Sequence, residues 1–591
     1  MKYGFLVILI FLIMISQYAS ASNPSLKLDA SPLIVVPDEY PTIQSAIDNA
    51  SEGTTIFVKN GTYNEHIDIT KSLKIYGSDT APTIIRSSEG GDVVNIRANN
   101  VTFARFRIEG DIKTRAGIYI QQSHDNQILD NVVVDSQHGI RIWDSSNITL
   151  RNNYMTNNSF NFGVWGLFLP HFLHDIDESN LVEEKPIHYL INEKNKTISS
   201  DAGYVAVVNS TDITVKDLKL QKNFDGVIAV YSTSITIQNI TSTSNNYGIH
   251  FVSSNSNIIT QNNIRENYAG FLLDLSNDND ISKNNFSNNQ IGLQFSYSPL
   301  VPEKRSTGNL VHENNIAGND DGIQAIGAIS NKFCKNEIRA NTRSGALLSG
   351  SAYNVFCGNT FSENSWGFAV QNSSQNLVFN NNFINNTSQV FHTDNSVNSW
   401  NNTRAIGGNY WSNNAVVDND LDGIDDVPYT VNPNNMDNYP LAGIFSNHTF
   451  TWDNSEHLIT IISNSSEHAF KVFSSESKIS LNFTGSAQTL GFCRITIQKE
   501  LVRKLWGDNF TVLVNGIPPS NMKKWEDDLF IYAYFTYSHP TSQVLLIPEF
   551  TIKALLASIL GSLLVATLII LFMKKKDSVP SNKCEEKKVR L

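Results

Sequence analysis

GIHFVSSNSNIITQNNIRENYA (residues 248–269) runs directly into GFLLDLSNDNDISKNNFSNNQI (residues 270–291). Laid one over the other, Gly248 matches Gly270, Phe251 matches Leu273 and Ile259 matches Ile281. Asn262 falls on Asn284 and Ile264 on Phe286. Outward from this pair, glycines followed by apolar residues stand at 117, 139, 203, 226, 248, 270, 292, 322, 345 and 367. Within uninterrupted runs the step is 22 or 23 residues. The longer step from Gly292 to Gly322 contains a loop near Pro299 to Arg305, and the step from Gly139 to Gly203 contains an insertion at about 159–200. Each repeat holds three short segments of alternating apolar character separated by Asn, Gly and Ser corners, which reads as strand and turn. A period this short excludes a propeller blade and carries no helical spacing. Three strands per coil, stacked in register, make an all-β protein: a right-handed parallel β-helix over residues 35–400.

The row Asn131, Asn153, Asn262, Asn284, Asn314, Asn336, Asn359 and Asn381 holds one place in the coil. It is expected to form an internal amide ladder, since identical side chains stack in such arrays. PTIQSAIDNA (residues 41–50) spaces Ile43 and Ile47 as one face of a short helix. That helix is expected to cap the first coil, because an open sheet end invites association.

Composition narrows the class. Charged residues are only 17% of the 591, hydrophobic residues are 41%, and Asn, Ser and Thr make up the shortfall. An ordinary apolar fraction excludes a polytopic membrane protein, and four cysteines exclude a disulfide scaffold. A net charge of −12 argues against a nucleic-acid partner. Residues 1–21 have the charged start, apolar run and Ala19-Ser20-Ala21 ending of a signal peptide. Residues 554–573 form an uncharged stretch long enough for one transmembrane helix. Lys574, Lys575 and Lys576 assign the 574–591 tail to the cytoplasm. The rest is expected outside the cell, where sequons such as those at Asn60, Asn147, Asn239 and Asn482 suit glycosylation. Residues 401–445 read as a closing module, and 446–550 as a β-sandwich stalk of short strands.

The opening VPDEYPTIQSAI (residues 36–47), with Gly61-Thr62-Tyr63, resembles the start of pectin-lyase-like right-handed β-helix proteins. The coils resemble the NosD-type family, and GGNYWS (residues 407–412) with the acidic run after it is similar to the closing module of archaeal NosD-like surface proteins. The resemblance covers about residues 35–445. It implies the fold, and it implies either periplasmic copper handling or carbohydrate binding and hydrolysis, because one fold hosts many functions.

Four groups of residues carry candidate chemistry. Asp418, Asp420, Asp422 and Asp426, with Gly423 at the turn and the Ile424 carbonyl, match the first part of an EF-hand-type calcium loop. Tyr429 stands where that loop has its bidentate Glu, so the expected role is structural. His171 and His174, beside Asp175, Asp177 and Glu178, are either transition-metal donors or hydrogen-bonded loop residues. His312, Cys334 and Cys357 occupy one place in successive coils. They are open to three readings: a copper or zinc site, a disulfide, or unpaired thiols. Asp130, Asp135, Asp144 and Arg141, with Arg151 and His138, crowd two coils and are the catalytic candidates. Binding of a polysaccharide or cell-surface glycan is the expected function, or a role as a cell-envelope component. A polysaccharide lyase or glycosidase, and a copper-binding accessory protein, are the alternatives.

Overall fold

The repeating glycines sit where a methyl group has no room. An ideal Cβ on Gly270 would lie 2.5 Å from the carbonyl oxygen of Gly292. The same approach recurs at Gly226, Gly248, Gly292, Gly322 and Gly345, each against the glycine one coil on. This computed structural model describes residues 32–87, 90–111, 113–507, 509–549 and 560–570. The expected signal peptide and cytoplasmic tail lie outside them. So does most of the expected span, of which only 560–570 is described, as helix. Among the described residues no helix is long and apolar enough to cross a membrane.

Two compact units make up the chain: Met1–Ser159 with Val164–Gly166 and Leu173–Asn180, and Phe160–Gly163 with Leu167–Phe172 and Leu181–Leu591. In the first unit a seven-stranded sheet runs from Leu33–Val36 to Asp175–Ile176. Its pairs are parallel, as in Ile128 opposite Phe103 and Leu150. A second sheet contains Arg107–Glu109 and Val132–Val134, and a third contains Gly91–Ile96, Thr114–Gln121 and His138–Trp143. The helix Ile43–Asn49 closes the start of this unit. Thr42 caps it through a capping box with Ser45, and Ile43, Ala46 and Ile47 are buried. The Glu65 carboxylate accepts the Ile43 and Gln44 N–H groups at 2.9 Å, which satisfies the helix start from the next coil.

The second unit repeats the design with two nine-stranded parallel sheets, Lys194–Ile198 to Leu377–Phe379 and Lys219–Gln221 to Tyr410–Trp411. A third sheet carries Lys185–Ile191 through Ser388–His392. The second half of the 159–200 insertion is itself part of the wall, with Ile187 opposite Tyr204 and Lys196 opposite Ile213.

The interior is a set of columns. Phe333 stacks on Phe356 at 4.5 Å, and Phe361 on Phe383 at 5.1 Å. The second column ends on Trp411 at 4.4 Å and Tyr429 at 4.3 Å. The expected Asn ladder is present: Asn336 Nδ2 donates to Asn359 Oδ1 at 2.9 Å, and Asn336 Oδ1 accepts from Asn314 Nδ2 at 3.0 Å. Asn409, in the GGNYWS stretch, is the last rung, bonded by Asn381 Nδ2 at 2.9 Å. Two further ladders flank it, through Asn257, Asn279 and Asn309 and through Asn267, Asn289 and Asn319. Many Asn and Asp corners take positive φ, a conformation these side chains tolerate.

The pairing turns antiparallel with the hairpin of Tyr429–Asn432 and Asn435–Asp437, and after residue 443 two antiparallel sheets follow. Five strands including Ile444–Trp452 and Leu490–Gln498 face four including Lys478–Thr484 and Thr541–Pro548. Ile461, Phe483, Ile495, Phe535 and Leu546 share one core between the two sheets. An amphipathic helix, Lys499–Trp506, buries Leu501, Val502, Leu505 and Trp506 against it.

Candidate functional site

On the third sheet of the first unit, inward side chains are Ile118, Ile120, Ile140 and Ile142, all buried. The outward rows then follow from register. Tyr119 pairs with Asn95 and Arg141, and Gln121 pairs with Trp143. The Arg141 guanidinium lies 4.7 Å over the Trp143 ring and 5.5 Å from Tyr119. Trp165 stacks on Trp143 at 5.5 Å. Gln121 donates to Asn95 at 2.8 Å, and Asn95 donates to Asp68 at 3.2 Å. Arg97 holds Asp68 and Arg115 holds Asp92, each with its Nε about one hydrogen bond away, 3.1 and 2.9 Å. Burial, then the charges of Arg141 and Arg115, lowers the His138 pKa to about 4, so its imidazole is neutral at pH 7. The face thus offers the half-buried rings of Trp143 and Trp165 beside the buried Tyr119, with amides and guanidiniums, its Asp68 and Asp92 carboxylates tied up in ion pairs.

The catalytic candidates do not converge. Asp130, Asp135 and Asp144 take positive φ at three different corners of one coil. Asp130 accepts from Asn152 Nδ2 at 2.9 Å, and Asp135 accepts from Asn157, so both tie one coil to the next. Arg141 belongs to the aromatic face, and Arg151 pairs with Asp175 and Asp177. Asp130 also lines an open groove of about 600 Å³ with Asp79, Thr80, Arg105 and Arg107.

His171 lies in a 3₁₀ turn of the second unit, and His174 belongs to the first. His174 is buried and its Nδ1 accepts the Ile148 N–H at 3.3 Å, the place an Asn rung fills elsewhere. Among the described residues, Asp418, Asp420 and Asp422 are the one group of three or more His, Cys, Asp or Glu with ligating atoms close enough to share an ion. Asp418 accepts the Asp422 and Gly423 N–H groups at 3.0 Å, which curls the loop. Burial raises the Asp418 pKa, and the Asp422 and Asp420 charges add to it. The loop also meets arginine. Arg404 donates to Asp420 at 2.8 Å, and the buried Arg494 of the sandwich packs on Gly423 and donates to the Ala405 carbonyl. Asp426 accepts the Asn419 N–H at 2.8 Å, apart from the convergent three, and the Ile424 side chain is buried in a cluster with Phe445 and Phe492. Tyr429 is committed to the Trp411 stack.

Of the three readings left open for the cysteine row, the structure has the disulfide: Cys334 and Cys357 are bonded, with their Cα atoms 4.7 Å apart. His312 pairs in register with Cys334, and its Nε2 lies 3.0 Å from Asp280 Oδ1. The Asn60, Asn147 and Asn239 sequons are exposed, and Asn482 is half-buried on a strand.

One constellation has no counterpart in the sequence reading. His250 is 1% exposed, with Nδ1 2.9 Å from Asp225 and Nε2 3.2 Å from Asp274. Ser296 donates to Asp274, so the chain of contacts crosses successive coils. These residues stand 24 and 25 apart, so only knowledge of the outward positions of the coil would have grouped them.

A family profile described as "Periplasmic copper-binding protein (NosD)" matches residues 47–168, 176–300 and 301–415. The pectate lyase PEL9 of Emericella nidulans is 34% identical over 124 residues, 20% of this chain; the match spans only 29% of that enzyme. Solved structures to which the chain shows similarity include the A-module of the Azotobacter vinelandii mannuronan C-5 epimerase AlgE6. It is 14% identical, with TM-score 0.23, over 60% of this chain and 93% of that one. The periplasmic alginate epimerase AlgG is 14% identical, with TM-score 0.30, over 62% and 84%. With the profile matching more than half its length, this parallel β-helix chain belongs to the NosD family.

Proposed function

We propose that the chain is a membrane-anchored surface protein whose β-helix binds an extended polysaccharide along the face of Tyr119, Arg141 and Trp143. The observation that carries this is the guanidinium set over the half-buried Trp143 ring beside the Gln121–Asn95 amide pair. Sugars present apolar C–H faces that suit aromatic rings, and hydroxyls that suit amides and guanidiniums. The partial match to an enzyme named for pectate supports a polysaccharide as the ligand class. The apolar stretch 554–573 and the signal-like residues 1–21 support export and anchoring. A glycan array probed with the purified exterior portion is expected to show binding. Arg141→Ala and Trp143→Ala are each expected to weaken it about tenfold, roughly 1.4 kcal/mol. An array blank for the wild type would sink the proposal and leave a scaffold role.

Lyase or hydrolase chemistry has less support, because it needs acid and base carboxylates facing one bond. Asp130, Asp135 and Asp144 sit at separate corners, while Asp68 and Asp92 are held by arginines. Copper does not fit the described residues in their present state. The sulfurs of Cys334 and Cys357 are joined to each other, and the convergent carboxylates are hard donors. Those carboxylates suit calcium, which we propose as a structural ion of the closing module. Calcium at 100 times its Kd is expected to stabilise that end by about 2.7 kcal/mol. The gain should vanish in Asp422→Asn; a melting temperature indifferent to calcium in both proteins would exclude the ion.

A further inference from the structure

We propose that the β-sandwich forms its own covalent cross-link, an amide between the Lys524 amine and the Asn509 side chain, with Glu549 as the proton carrier. Three groups meet at one edge of the sandwich. Lys524 Nζ donates to Asn509 Oδ1 at 3.0 Å, which sets the amine one atom from the carbonyl carbon it would attack. The other end of the same amide, Asn509 Nδ2, donates to the Glu549 carboxylate. The amide thus has a nucleophile on its oxygen side and an acid–base group on its leaving nitrogen, which is what transfer of an acyl group from one nitrogen to another needs.

Strand order and register bring the three together. Lys524 lies in Met522–Glu526, the last strand of the five-stranded sheet. Asn509 directly precedes Phe510–Val514, the last strand of the four-stranded sheet. Phe510 pairs with Pro548, so Glu549, next along the chain, falls beside Asn509. The Lys524 amine is placed further by the Phe510 carbonyl, to which it donates, and by the Phe510 ring 4.1 Å away. Lys524 as a residue is exposed, and its amine end, against the buried Phe510, is the part removed from water. That burial lowers the Lys524 pKa, with the Glu549 charge opposing it, and so favours the neutral amine.

The step balances without a co-reactant. Glu549, whose charge acts on the amine, takes one proton from the Lys524 ammonium, and the free amine attacks Asn509 Cγ. In the tetrahedral intermediate the negative charge falls on Oδ1, which already accepts the Phe510 N–H at 3.0 Å. The Nζ–Cγ bond is then in place. Glu549 returns its proton to Nδ2, the Cγ–Nδ2 bond breaks, and a second Lys524 proton leaves with the ammonia as ammonium. The product fastens the edge strand of one sheet to the edge strand of the other. It also closes a short ring from Asn509 to Lys524, which restrains the unfolded chain as a disulfide does.

The test uses the full chain, denatured, weighed by mass spectrometry and digested with trypsin. The wild type is expected to weigh one ammonia less than calculated from its observed termini, and to yield a branched peptide joining Asn509 to Lys524. Lys524→Arg, which keeps the charge, and Glu549→Gln, which keeps both partners, should each have the full calculated mass and no branched peptide. The neighbouring control Lys523→Arg should keep the link. The linked chain should melt about 10 °C above Glu549→Gln. Asn509 and Lys524 in separate peptides of the wild type, or a glycan on Asn509, which opens an Asn-Phe-Thr sequon, would overturn the proposal. So would a branched peptide that persists in Glu549→Gln, or loss of ammonia with no branch, the mark of a cyclised Asn509. Far-ultraviolet circular dichroism of the variants separates loss of the link from loss of the fold.

Discussion

Asn336→Ala is expected to lower the stability of the second unit by about 4 kcal/mol, seen as an earlier urea midpoint. Asn336 Oδ1 accepts the Asn314 backbone N–H at 3.1 Å and its side-chain amide at 3.0 Å. Its Nδ2 donates to the Val311 carbonyl and to Asn359, both at 2.9 Å. Truncation leaves the Asn314 N–H buried without a partner, at about 1–3 kcal/mol, and removes the amide's other bonds to Val311, Asn314 and Asn359, each worth about 0.5–1.5 kcal/mol. The rung lies inside the column, where no side chain from outside can replace it. An exposed corner residue such as Asn239, whose amide bonds Asp217 at 2.6 Å, is the control, and Asn239→Ala should cost under about 1 kcal/mol. Equal losses at the two positions would mean that the ladder contributes no more than ordinary corner bonds.

His250→Leu is expected to cost about 3–5 kcal/mol at pH 7, because it leaves Asp225 buried without a counter-charge. Burial by itself lowers the His250 pKa, but the hydrogen bonds and charges of Asp225 and Asp274 outweigh it and raise the value to about 9. Asp225, fully buried, has its own pKa raised by that burial. The folded value for His250 lies above the unfolded value near 6.5. Its contribution is therefore complete below about pH 6.5 and is lost as pH rises through 9. The wild-type denaturation midpoint should fall over that window by the equivalent of about 3 kcal/mol at most. In His250→Leu this slope should disappear. A wild-type midpoint flat from pH 6.5 to 9 would mean that the imidazole is neutral in the folded chain.

The coils, the first Asn ladder and the cap helix were legible because stacking forces the same residue type to recur. A glycine whose Cβ would meet a carbonyl oxygen at 2.5 Å can only be glycine in every coil, and that column showed the period. The two flanking ladders escaped notice because Asn is also the ordinary residue of a tight corner, so their rows looked like turn chemistry. The helix Lys499–Trp506 was missed between strand-like runs, where a short amphipathic stretch carries a weak signal.

Side-chain constellations were less legible, since a β-helix separates neighbours in sequence and joins residues one coil apart. Asp130, Asp135 and Asp144 are close in the chain and go to three corners, while Asp225, His250 and Asp274 are far apart and touch. The acidic loop was readable as a motif, but its contact with Arg494 required the sandwich to dock beside Gly423.

The sequence by itself determined the repeat, the parallel stacking and the rows of inward residues, because each is dictated by local sterics repeated at every coil. Only the tertiary structure decided that Cys334 and Cys357 are joined, that His250 lies between two carboxylates and that Arg141 lies over Trp143. Those outcomes depend on which outward side chains strand register brings within a few ångströms, and a one-residue shift in a strand would send them to the opposite face.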